Sequence, residues 1–352
     1  MKTLHNLLQI AGAVAATLSL AGNVSALELD IYGVGHLSVD NNNDGSDTVL
    51  VVASNSSRLG FAGNHRIGDK LRVVFQFESG VDLTGNSGND GNGGGPRDGQ
   101  LFTRARDSWL GLEGNWGKVL AGRQAGLNQW LYDYNLFADQ IGDLGNIWGG
   151  TGLPGRVDSA LSYTTPTFSN MNVLFGYSPE TTANADDEVT LAKLNYGAGK
   201  LKVGAGYASV GQGANPDHTA WAVTASYDFG NWNLGGGYQS ESDIGGTSGY
   251  DSRSYTLGAA LTLGSGTLKA QYVLFDGNQA DSDANQIAVG YDYPFDKATI
   301  FYIAYAATSN DANGGFTANN YGHGKAVTVA NGDDPSSLSV GVVYKFDVGL
   351  IK

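Results

Sequence analysis

From residue 27 onward the side chains alternate in character with a period of two, and this pattern restricts the chain to strands with two unlike faces. Trp221, Val223, Ala225, Tyr227 and Phe229 share one face, with Ala222, Thr224, Ser226 and Asp228 on the other. The pattern recurs at Trp232/Leu234/Gly236/Tyr238, Tyr255/Leu257/Ala259/Leu261, Leu268/Ala270/Tyr272/Leu274 and Ile287/Val289/Tyr291/Tyr293. Near the start, Leu71/Val73/Phe75/Phe77 alternates with Arg72/Val74/Gln76/Glu78. Sixteen such segments run from 29–39 and 51–63 to 298–308 and 337–346. One face is apolar; the other is small or polar.

The connections are of two kinds. Short glycine turns such as Gly197-Ala198-Gly199, Gly230-Asn231 and Gly264-Ser265-Gly266 join some strands. Long polar stretches at 83–99, 242–250, 277–285 and 309–336 join others. Short turns at one end and long loops at the other are what an outer-membrane barrel requires. About ten residues at ~3.3 Å each, tilted ~45°, cross its ~25 Å apolar band. The even strand number closes an antiparallel barrel, and a barrel of this size encloses water rather than a packed core. The expected fold is therefore all-β, a transmembrane antiparallel β-barrel of about 16 strands. A two-sheet sandwich would carry more Lys and Glu on its outward face, and an exported solenoid would show a fixed short repeat. Neither feature is present.

Residues 1–26 read as a secretory signal peptide: Lys2, an apolar run from Leu7 to Leu20, and the small-residue site Val24-Ser25-Ala26. The mature barrel is then 27–352, with one positive charge fewer than the −14 of the whole chain. No later stretch is long and apolar enough for a helical span. The acidic balance excludes a nucleic-acid partner. The absence of Cys excludes disulfides, thiolate metal sites and a thiol nucleophile. His36, His65, His218 and His323 stand near no nucleophile motif and show no metal-ligand spacing, so no enzyme, cofactor or metal is expected. Asp40-Asn41-Asn42-Asn43-Asp44-Gly45 resembles half of a calcium loop, but the twelfth position is Val51, which leaves only loose Ca²⁺ binding open to loop 40–48.

Three segments carry a resemblance along the whole mature chain. They are Ser57-Arg58-Leu59-Gly60-Phe61-Ala62-Gly63, then Arg106-Asp107-Ser108-Trp109-Leu110-Gly111-Leu112-Glu113-Gly114, then Asn115-Trp116-Gly117-Lys118-Val119-Leu120-Ala121-Gly122-Arg123. In this order they are similar to the landmarks of Gram-negative trimeric general porins. The end, Gly341-Val342-Val343-Tyr344-Lys345-Phe346, resembles the terminal strand read by the barrel-assembly machinery. This chain departs by continuing from Asp347 to Lys352, with alternation through Val348 and Leu350 that suits a longer last strand.

The resemblance implies a homotrimer in outer-membrane lipid and lipopolysaccharide, and a third loop folded inward to narrow the pore. Segment 124–157 stands in that loop's place, and a long ordered loop is usually functional. Its Trp130–Phe137 run suits a short helix, and Asp143 to Gly150 matches an acidic, glycine-ended tip. Parity turns Arg58 and Arg106 inward, opposite in sense to Leu59 and Trp109. Together with Arg156 and Arg123 they are the implied basic wall of the constriction, faced by Asp139 and Asp143. Val34 stands where family members often carry a pore lysine, which thins that wall and favours cations. The same parity turns Asp107 outward, where a subunit interface would shelter it.

The function expected is a passive, water-filled channel for small hydrophilic solutes and ions, mildly cation-preferring. The alternative is a substrate-specific channel, for instance for oligosaccharides, with Trp130, Tyr132 and Trp148 as a stacking slide. A barrel without conduction, structural or adhesive, is the third reading.

Overall fold

The computed structural model describes residues 27–85, 102–126, 133–148 and 151–351. The expected signal peptide lies outside the described residues, as do Trp130 and Tyr132. The first strands are β1 (Leu27–Asn43), β2 (Thr48–Ser54), β3 (Arg58–Gly68), β4 (Leu71–Val81), β5 (Phe102–Gly114) and β6 (Gly117–Ala125). A one-turn helix α1 (Gly145–Trp148) precedes β7 (Arg156–Thr164), β8 (Met171–Ser178), β9 (Val189–Ala198), β10 (Leu201–Gln212) and β11 (Asn215–Asp228). Then come β12 (Trp232–Ser242), β13 (Ser252–Leu263), β14 (Gly266–Gly277), β15 (Ala284–Pro294), β16 (Thr299–Asn310) and β17 (Ser336–Ile351). β1 pairs antiparallel with β2 and with β3, from β3 onward each strand pairs antiparallel with the next, and β17 closes on β1. β2 and β3 both pair with β1 and form one stave broken at 55–57, so the barrel has sixteen staves.

Cross-strand partners share a face, so the register sorts the side chains. Phe61 lies opposite Phe77, Phe75 opposite Leu110, Leu257 opposite Tyr272, and Ile303 opposite Tyr291. Most of these are exposed on the outside, where lipid replaces water. Near the short turns, Phe229 stacks on Trp232 with centroids 4.0 Å apart, and Trp116 stacks on Tyr163. These rings suit an interfacial girdle. At Gly33 the ring of Phe346 covers the backbone so closely that a Cβ would sit 2.5 Å from it. The last strand is indeed the longer one: Ile351 still pairs with Leu29.

Among the irregularities of the described ladder, three bear on the lumen. Between β2 and β3, Ser54, Asn55, Ser56 and Ser57 are all buried, and Ser56 adopts a left-handed φ of 46°. In β5, Phe77 pairs with Ser108 but Ser79 with Ala105, so one extra residue is inserted opposite Glu78. Between β6 and β7, Gly122 pairs with Ala160 but Gln124 with Val157, and Ser159 has φ 52°. A bulge of this kind re-aims side chains locally.

The interior is filled by two loops rather than by wall side chains. Phe137 and Ile141 pack on Ala288, Tyr302, Ala304 and Ala306. Leu144, Ile147 and Trp148 pack on Val273, Phe275 and Ala284. The described part of segment 124–157 thus folds inward, as expected. Of the run expected as a short helix, Trp130 to Tyr132 lie outside the described residues and 133–134 are 3₁₀-helical; the one-turn α1 follows at Gly145–Trp148.

The stretch 309–336, expected as an external loop, also enters the barrel. Asn146 Oδ1 accepts hydrogen bonds from the Asn320 and Tyr321 amides, and its Nδ2 donates to Ala318 O. Gln286 donates to Thr317 O, and Gly324 N donates to Asn55 Oδ1 in the β2–β3 break.

Candidate pore constriction

The three irregularities place three arginines together. Arg58 opens β3 directly after the break; its Nη1 lies 3.1 Å from Asp139 Oδ2 and donates to Ser56 O. Arg106 sits in the β5 bulge, with Nε 2.5 Å from Glu78 Oε1. Tyr32 donates to the other oxygen of Glu78 at 2.9 Å. Arg156 opens β7 and donates through Nε to Asp107 Oδ1 at 2.6 Å. The three guanidinium groups lie close enough to act on one another's charge, with Asp139 beside them. Each has a carboxylate of its own.

Four expectations need correction. Asp107 does not face outward: Ser108 pairs with the outward Phe77 and Trp109 with the inward Gln76, so Asp107 lies on the lumen side, and the extra residue in β5 turns the preceding Arg106 inward as well. Arg123 does not reach the constriction. It pairs in register with Ser108 on the outward parity of Phe77, where it donates to Ala105 O and forms an ion pair with the exposed Asp158. Asp143 is fully buried inside the loop and faces no ion path. Its Oδ1 accepts from Asn135 Nδ2 and Gly145 N, and its Oδ2 from Asp139 N. Burial pushes its carboxyl up to about 7, with Asp139 adding to the rise and the N–H donors opposing it. Trp148 is also fully buried, its six-membered ring against Gly237, so it offers no face to a solute.

Opposite the arginines, small residues admit the loop. Gly142, at φ 76°, lies so close to Ala288 that any side chain would collide with it. Tyr134 lies against Gly235 and Gly258 and donates to Gly258 O. Lys193 pairs with Asp133 at 2.6 Å, and Lys269 with Asp292 at 2.9 Å. Glu78, Lys269 and the inward sense of Asp107 are the elements the sequence reading misses. Alternation alone places Glu78 and Lys269 on the polar face; Asp107 is missed because Trp109, taken as outward, pairs with the inward Gln76 and shares its face with Asp107.

Loop 40–48 is a tight hairpin in which Asp44 Oδ1 accepts from the Ser46 and Asp47 amides. Among the described residues, Glu180, Asp186 and Glu188 bring carboxylate oxygens within 4.8 Å of one another on the β8–β9 loop. None of these groups touches the constriction.

A closed sixteen-stave barrel with an apolar exterior, inward loops and a cluster of paired charges inside it defines a transmembrane channel. The chain belongs to the Gram-negative porin family, whose model matches residues 11–313. It is 32% identical to outer membrane porin protein 32 of Delftia acidovorans, over 83% of this chain and 85% of that one. It is 25% identical to a monosaccharide porin of a Halomonas species, over 82% and 84% respectively. The solved anion-selective porin of Comamonas acidovorans superposes with a TM-score of 0.76 at 27% identity, covering 91% of this chain and all of that one. The protein is an outer-membrane porin, a β-barrel channel for passive diffusion.

Proposed function

We propose that Arg58, Arg106, Arg156 and Asp139 form the selective eyelet for small hydrophilic solutes and ions, and that its net preference is mildly for cations. One observation carries the sign: each arginine is matched by an acid, Asp139, Glu78 or Asp107, within salt-bridge distance. Matched charges set up a transverse field but little net potential. The sign then falls to the acidic external loops, which reach the eyelet only when the Debye length is long. The Comamonas relative is anion-selective by name, so this chain differs from it in sign on our reading. Reversal potentials across a planar bilayer under a dilute KCl gradient test it. Cation preference that fades as salt rises is the expected result; anion preference in dilute salt overturns it.

The channel needs no cofactor and no covalent step. As a family member it assembles as a homotrimer in lipid and lipopolysaccharide, with β17 as the strand offered to the barrel-assembly machinery. A heat-modifiable trimer in mild detergent is the expected behaviour, and a monomer at every temperature would sink the claim. The oligosaccharide alternative loses Trp148 to burial, and its other two aromatics lie outside the described residues. Sugar-dependent current block would revive it.

A further inference from the structure

We infer that Lys269 is a positioning residue for selectivity: it holds the loop segment that carries Asp139 onto Arg58. The inference rests on the eyelet proposed above and adds to it a residue on the opposite wall.

Lys269 lies on β14 on the lumen side, and its side chain is only 4% exposed. All its protons are engaged. Nζ donates to Leu136 O at 2.8 Å and to Gln140 Oε1 at 2.8 Å, and lies 2.9 Å from Asp292 Oδ2. It also sits 4.4 Å from the centre of the Phe137 ring, within cation–π range. Two residues further along β14, Gln271 accepts from Leu136 N and donates to Gly142 O. Lys269 and Gln271 therefore grip residues 136, 140 and 142, on both sides of Asp139. Such a grip is needed because Asp139 stands at φ 61°, a left-handed conformation that costs a non-glycine residue energy. A neutral side chain of the same length would fill the space but could not hold a carbonyl and an amide oxygen together. The Lys269 charge itself is sequestered by Asp292 and screened from the ion path by burial.

This arrangement gives a test whose sign separates positioning from plain electrostatics. Removing a lysine from a pore wall should, by charge alone, increase cation preference. If Lys269 positions Asp139, K269M should do the opposite, because Asp139 leaves Arg58 and one arginine loses its matched acid. The cation-to-anion permeability ratio in dilute KCl is then expected to fall by about two- to fourfold, the Boltzmann weight of one uncompensated charge several ångströms from an ion in water. K269R, which keeps donors and charge, should recover most of the wild-type ratio. D139N is measured alongside and should lower the ratio by itself, and adding K269M to it should change little more.

A K269M ratio that rises or stays constant, while D139N lowers it, overturns the positioning role and leaves the eyelet intact. A D139N variant without effect overturns the eyelet reading itself. Should K269M fail to assemble, K269Q in the refolded barrel, checked for β content, gives the same comparison.

Discussion

The two walls of the lumen solve opposite problems. The wall from β3 to β7 carries long charged residues, Arg58, Arg106 and Arg156, each held by a carboxylate. The wall from β12 to β16 carries Gly235, Gly237, Gly258, Ala288, Ala304 and Ala306 on its inner face. Small side chains there make room for Phe137, Ile141 and Tyr134, so the loop lies against that wall. On the proposed reading the passage is left on the arginine side. The strands are equally regular in hydrogen bonding on the small-residue wall, while all three irregularities at the eyelet's level fall on the charged one. Local backbone departures buy charged geometry where the pore needs it.

The largest effect should come from undoing the small-residue wall's grip. Deleting about ten residues within 130–148 removes the loop but no strand, so the barrel should fold and single-channel conductance should rise by roughly twofold or more. Unchanged conductance in an inserted variant would mean that the loop does not narrow the pore. A gentler version is F137A. Phe137 is fully buried against alanines, and truncation should cost about 3–5 kcal/mol of loop packing. Larger open-channel noise at unchanged barrel melting is the expected signature.

On the charged wall the next effect is R106Q. The Arg106 and Glu78 side chains are 11% and 8% exposed, and removing the cation leaves a buried carboxylate that keeps, among the described residues, the Tyr32 hydroxyl as its side-chain partner. The loss should be about 3 kcal/mol in barrel stability by denaturant titration. Cation preference should rise together with it. A stable variant with unchanged reversal potential would place Arg106 outside the ion path.

What the sequence made legible divides along the same line. Alternation carried the strand count, the inward sense of Arg58 and the extension of the last strand, because a period of two is preserved through regular ladders. It failed at Asp107, because it gives Trp109 the outer face although Trp109 pairs with Gln76 on the lumen side; the residue inserted in β5 then brings Arg106 to the same side as Asp107. The inward fold of 311–335 was also hidden. That segment looks polar because its groups bond to other buried polar groups, such as Asn146 with Asn320 and Tyr321. Composition does not distinguish polar groups satisfied by water from those satisfied by protein.

Asp143 offers a smaller, pH-dependent effect within the loop. Its carboxyl is raised to about 7, above the ordinary carboxylate value near 4. An acid raised in the folded state binds its proton there over a window in which the unfolded chain has lost it. Stability of the loop is therefore highest at the acid end and falls as pH rises from about 4 to about 7, by roughly 1.4 kcal/mol per pH unit at most. Amide exchange at residues 139–147, corrected for intrinsic rates, should quicken across that window. D143N should flatten the profile, and a flat wild-type profile would contradict the raised carboxyl.

The smallest effect sharpens the comparison most, because it sets one arginine against another. Arg58 and Arg123 each sit beside a family landmark and each pairs with an aspartate, but they differ in face. Arg58 is on the lumen parity with Asp139. Arg123 is on the outer parity, paired with an Asp158 whose side chain is 72% exposed. An exposed pair of this kind contributes about 0–1 kcal/mol. The barrel wall also separates its charge from the ion path. R123Q should therefore leave the reversal potential unchanged in dilute salt and lower stability only slightly, whereas R58Q should raise cation preference under the same conditions. Stability and selectivity measured together distinguish the two faces. If R123Q shifts selectivity as far as R58Q does, the outward assignment of Arg123 is wrong, and with it the parity of β6 beyond Gly122.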